Sequence, residues 1–140
     1  MAAYASLADL SIFCRMFSTM LGAGVPPARC LGVLSQQQRN RKFKWVIADI
    51  QREVAAGNML SKSLAKYPGT FSNLFIGLVR AGEIGGVLGE TLGRLSTFLE
   101  KAVEMKRRTK LAMTFPMLIG IALVLIAVGL GAFISQPFWN

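Results

Sequence analysis

The sequence contains no histidine and only two cysteines, Cys14 and Cys30. Without histidine there can be no histidine-based triad, general base or metal ligand. Two cysteines are too few for a disulfide scaffold or a four-cysteine zinc site. The GxxxxGK[ST] stretch of a P-loop ATPase is also missing. Acidic residues are scarce: 7 Asp+Glu stand against 16 Lys+Arg, a formal charge of +9. No set of residues pairs a nucleophile with a base, so no enzyme activity, cofactor or metal site is expected.

Such a charge sits oddly in a 140-residue chain that is 53 % hydrophobic until the two excesses are located. Every charged residue lies between Asp9 and Lys110. Residues 111–134 form an uncharged apolar run. Roughly 20 helical residues, each rising about 1.5 Å, cross a hydrocarbon core, so this run is expected to be a transmembrane helix. Lys106, Arg107, Arg108 and Lys110 stand directly before it. Positive flanks stay on the cytoplasmic side, which predicts a cytosolic part over 1–110. The tail 135–140 then emerges on the far side, where the Trp139 ring suits the bilayer interface. Pro116 removes a backbone donor and is expected to bend the helix near its cytosolic end.

The cytosolic part reads as helices divided by stop signals, with no period-two strand pattern, so the fold class is an all-α bundle. Ser6 or Asp9 can cap a first helix with Leu7, Leu10, Cys14, Phe17 and Leu21 on one face. Gly22 and Gly24 end it, and Pro26 and Pro27 suit the start of a second. Asn40 can cap a third, whose stripe is Phe43, Val46, Ile47, Ile50 and Val54. Ser61 is expected to start a short fourth helix. Ser72 starts a fifth, with Leu74, Phe75, Leu78 and Val79 inward. From about Val87 a long final helix has an inner face of Leu88, Thr91, Leu92, Leu95, Phe98, Leu99 and Ala102. It is expected to continue into the membrane.

Several clusters invite a functional reading. Arg39, Arg41, Lys42 and Lys44 crowd beside Trp45 at a predicted helix N-terminus, where the helix dipole disfavours cations. An anionic partner would offset that cost. Nucleic acid, anionic lipid headgroups and an acidic protein surface all carry suitable charge, and a solvated face is the plain alternative. The nearby membrane favours headgroups over nucleic acid. Asp49 with Glu53, and Glu100 with Glu104, are spaced i,i+4 and can hold a cation, but each lies beside Lys or Arg on a helix surface. Glu90–Arg94 and Glu104–Arg108 are acid-before-base pairs that support an exposed helix face. Glu83 follows Arg80 by three residues and is expected to form a structural ion pair with it. Cys14 and Cys30 are expected to be reduced and buried.

Four segments together resemble a known family. Leu21-Gly22-Ala23-Gly24-Val25-Pro26 is similar to its LL-x-AG-x-P corner, and Gly57-Asn58-Met59-Leu60-Ser61-Lys62-Ser63-Leu64 to G-x-x-L-S-x-A-L. Val79-Arg80-Ala81-Gly82-Glu83, with the glycines and Leu88 that follow, resembles V-R-A-G-E-x-x-G-x-L. Lys110-Leu111-Ala112 to Phe115-Pro116 resembles the approach to its first membrane helix. The family is the inner-membrane platform protein of type II secretion and type IV pilus machines. The resemblance implies a six-helix cytosolic F-like domain in an inner-membrane protein. It also implies a non-enzymatic scaffold that engages an assembly ATPase and passes its motion to pilin-like subunits. Gly22, Gly24, Pro26, Arg80, Gly82 and Glu83 are then chiefly architectural, the glycines for positive φ and the proline for a helix start. Typical members carry two copies of the domain and three spans, whereas one copy and one span are read here. This suggests a partner chain, a homodimer, or an F-like domain reused as an accessory subunit of another membrane complex.

Overall fold

The computed structural model describes residues 3–135, with the side chains of 109–114 excepted. Six helices and no strand occur among the described residues: α1 (Leu7–Gly22), α2 (Pro27–Gln37), α3 (Arg41–Ala55), α4 (Leu60–Leu64), α5 (Asn73–Gly85) and α6 (Leu88–Ile134). The chain divides into two compact units, Met1–Val103 and Glu104–Asn140.

The first unit is a helical bundle whose elements start where the sequence provides caps. Ser6 and Asp9 form a reciprocal capping box on α1, satisfying two otherwise orphaned donors. Asn40 accepts from the amides of Lys42 and Phe43 at the start of α3, and Ser72 accepts from Phe75 at the start of α5. Pro26 stands just before α2 and Pro27 is its first residue. There the missing N–H costs nothing.

The core is a run of rings. Phe13 meets Phe17 and Phe43 at centroid distances of 5.6 and 5.4 Å, and Phe75 meets Phe71 at 5.3 Å. Around them close Cys14, Leu31, Val46, Ile47, Ile50, Leu64, Val79 and Leu92, all buried. Phe13, Phe71 and Ser96 are buried beyond the stripes read from the sequence. Leu74, Leu78 and Phe98 depart the other way, at 65 %, 41 % and 62 % exposed. Their spacing is that of an inner face, but among the described residues no further helix of this unit covers that side of α5 and α6.

The second unit holds the one candidate membrane span among the described residues, Phe115–Ile134, of mean hydropathy 2.8 and wholly unburied within the chain. It lies in the same helix as Leu88, and Pro116 sits inside that helix, as do Lys106, Arg107 and Arg108. Arg108 pairs with Glu104 at 2.8 Å. Among the described residues Glu90 and Arg94, at the same spacing, form no ion pair. The side chain of Lys110 and the tail residue Trp139 lie outside the described residues.

Candidate functional site

Three glycines have positive φ: Gly24 (87°), Gly57 (98°) and Gly86 (73°). Each closes a helix in the same way. Val25 N–H donates to the Met20 carbonyl and Gly24 N–H to Leu21. Asn58 and Gly57 repeat the pattern on Glu53 and Val54, and Val87 and Gly86 repeat it on Gly82 and Glu83. This double closure is the Schellman motif, which requires a left-handed residue that a Cβ would strain. The other two motif glycines serve differently. Gly22 is helical, and a Cβ there would meet nothing within 4 Å. Gly82 is also helical, but a Cβ there would stand 2.6 Å from Thr91 Oγ1 and 3.3 Å from Leu88 Cα. Positive φ is therefore the reason for Gly24 alone among the three; Gly82 lets α5 and α6 touch.

The three corners gather at one end of the bundle. Glu83 is the first tie between them. Its Oε2 accepts from Leu60 N–H at 2.7 Å and its Oε1 from Ser61 N–H at 2.8 Å. The carboxylate thus caps α4, whose own N-cap position, Met59, offers no side-chain acceptor. The expected Arg80–Glu83 ion pair does not form. Arg80 is exposed, and the amides of a buried helix start are the stronger claim on Glu83 because they have no water to turn to. Ser61 is buried and is one of the capped residues rather than the cap. The second tie joins α1 to α6. Ser18 Oγ donates to the Gly89 carbonyl at 2.6 Å, and a Cβ on Gly89 would lie 3.3 Å from Leu21 Cβ. A Cβ on Gly93 would lie 3.0 Å from Ser18 Oγ. Gly89 and Gly93, four residues apart, open one groove along α6 in which α1 lies. This role was not visible in their spacing alone.

Beside that end, α5 and the first turns of α6 border an open apolar groove of about 430 Å³. Leu74, Leu78, Val87 and Phe98 line it, with Phe75, Leu95 and Leu99 also in contact. Arg94 adds a cation to the lining.

The polar groups elsewhere are committed to structure. Asp9 holds the α1 cap and accepts from Asn40 Nδ2 at 3.3 Å. Asp49 pairs with Arg52 at 3.4 Å and accepts from the Tyr67 hydroxyl. Burial, with that carboxylate, pushes Tyr67 up to about 12. Glu53 pairs with Lys66, and Glu100 takes both Nε and Nη2 of Arg15 at 3.2 Å. In both i,i+4 carboxylate pairs the two acids thus turn to separate partners. Among the described residues no three Cys, Asp or Glu side chains gather as a metal-binding set. Both cysteines are wholly buried, and burial raises Cys14 to about 12 and Cys30 also upward, so neither is a thiolate near neutral pH.

The basic cluster stands at the other end of α3 from the Gly57 corner. Arg39, Arg41, Lys42, Lys44 and Trp45 are all exposed. Asn40 anchors that end, donating to the Tyr4 carbonyl at 2.9 Å while capping α3.

The segments that build the glycine-cornered end lie within a stretch that matches a known family. The sequence profile of type II secretion system (T2SS) protein F matches residues 13–135. The type IV pilus assembly protein PilC of Thermus thermophilus is 40 % identical over 121 residues, 86 % of this chain and 30 % of that protein. PilC of Myxococcus xanthus is 37 % identical over 124 residues, 89 % and 29 %. Type II secretion system protein F of Xanthomonas campestris is 39 % identical over 109 residues, 78 % and 27 %. The chain thus spans about three-tenths of the length of these relatives. With the match running from α1 to the end of the candidate span, the chain belongs to the family of type II secretion system protein F.

Proposed function

We propose that the chain is a non-enzymatic scaffold of a type II secretion or type IV pilus-type assembly, held in the inner membrane. It spans once, over 111–134, with 1–110 in the cytoplasm and 135–140 beyond the bilayer. The observation that carries this reading is the match over 13–135, which includes both the bundle corners and the span. Lys106, Arg107 and Arg108 before the span support the orientation, since cations resist translocation.

In this reading the bundle contacts an assembly ATPase and the span communicates with pilin-like subunits, directly or as a homodimer. Of the corner residues, Gly24, Pro26, Gly82 and Glu83 hold the bundle's shape, whereas Gly22 faces open space and Arg80 is exposed. Affinity purification from native membranes in mild detergent, read by mass spectrometry, tests the partners. Co-recovery of an assembly ATPase and pilin-like proteins is expected. Recovery of an unrelated membrane complex with neither of them would instead make the chain an accessory subunit and overturn the assembly role.

A further inference from the structure

The outward face of α3 sets several cations beside an exposed indole. Its inward stripe, Phe43, Val46, Ile47 and Ile50, is buried, which turns Arg41, Lys44 and Trp45 outward together at i, i+3 and i+4. Trp45 is 63 % exposed between those cations. The acids on the same helix do not neutralise them: Asp49 is held by Arg52 and Tyr67, and Glu53 by Lys66. Among the described residues Arg39, Arg41, Lys42 and Lys44 form no ion pair. The cations also crowd the positive end of the α3 dipole, a placement that an isolated bundle has no reason to favour.

We propose that this face docks on the anionic phospholipid headgroups of the bilayer that the chain's own helix crosses. Charge complementarity selects an anionic surface. Trp45 selects a lipid one, because an indole ring flanked by cations is the side-chain set enriched where headgroups meet acyl chains. The candidate span in the same chain keeps the bilayer at high effective concentration, so weak contacts suffice. The contact depends on no assembly partner, and its failure would leave the scaffold reading untouched.

The test uses the full chain with Trp139→Phe, which leaves Trp45 as the sole tryptophan. It is placed in nanodiscs of phosphatidylcholine, with or without about 30 % phosphatidylglycerol, and Trp45 emission is read with and without lipids brominated on the upper acyl chain. In the anionic discs a blue-shifted emission and clearly stronger quenching are expected, both lost at roughly 0.5 M salt as screening shortens the reach of the charges. Each cation removed lowers the docked-to-free ratio by roughly five-fold, so Arg41→Ser/Lys42→Ser/Lys44→Ser abolishes the difference while circular dichroism stays unchanged. Emission that is the same in both discs overturns the proposal, as does a difference that survives the triple substitution. Trp45 that ignores both discs but is shielded in native membranes also overturns it, and assigns the face to an acidic protein instead.

Discussion

At Glu83 one carboxylate receives two consecutive amides from a helix that begins more than twenty residues earlier in the chain. A five-residue helix such as α4 cannot sustain itself by propagation, because its nucleation cost is spread over almost no internal hydrogen bonds. Its first two donors therefore depend on Glu83. Glu83→Ala is expected to cost about 1–3 kcal/mol, the range for losing a cap while leaving buried donors unmatched. Glu83→Gln, which keeps one acceptor oxygen, should cost less. Hydrogen exchange gives the sharper reading: the Leu60 and Ser61 amides should lose protection in the alanine variant well before the core amides of α3. Equal protection in both proteins would remove the capping role. None of this was legible locally. The sequence places Arg80 one helical turn from Glu83 and so suggests an ion pair, while the true partners are backbone groups, which leave no mark in a side-chain pattern. The caps at Ser6, Asn40 and Ser72 were legible because each acceptor lies within three residues of its donor.

Among the elements, the helix ends were better inscribed than the helix faces. Glycine at 24, 57 and 86 marks three left-handed closures, and only glycine takes that conformation cheaply. The faces followed the apolar period for α3 and in part for α1, where Leu7 is exposed and Phe13, off the expected stripe, is buried. For α5 and α6 the same period counted Leu74, Leu78 and Phe98 as core, though they line an open groove. Periodicity records which residues share a face, not whether another element lies on it. The α1–α2 corner offers a clean separation between glycines that look alike in sequence. Gly24→Ala forces a Cβ into φ 87° and should cost about 1–2 kcal/mol. Gly22→Ala adds a methyl group to open space in a helix and should be neutral or stabilising by up to about 1 kcal/mol. Thermal unfolding of the two variants side by side should show a lowered midpoint for Gly24→Ala and no lowering for Gly22→Ala. An unchanged midpoint in Gly24→Ala, or an equal loss in both, would mean that the corner is not closed as described.

On the scale of the whole molecule, most of the excess charge lies in the first unit, and the second joins a basic flank, Lys106, Arg107 and Arg108, to the apolar run. All the core residues from Leu10 to Leu99 lie in the first unit, and the candidate span lies entirely in the second. Among the described residues, the buried hydrophobic core is drawn from 1–103. The bundle's ring cluster, its three glycine closures and the Glu83 tie are all internal to 1–103. A fragment of residues 1–103 is accordingly expected to fold without detergent, with helical circular dichroism and one cooperative urea transition of order 5–10 kcal/mol. Its open groove, lined by Leu78 and Phe98, predicts concentration-dependent self-association that Phe98→Ser reduces without lowering the transition midpoint, since the ring is mostly solvent-exposed already. Analytical ultracentrifugation and urea titration of the fragment and its variant separate the two effects. A fragment that stays unfolded in water would show that the bundle needs the membrane helix for stability. A Phe98→Ser midpoint that falls with the association would show that the groove wall is core rather than surface.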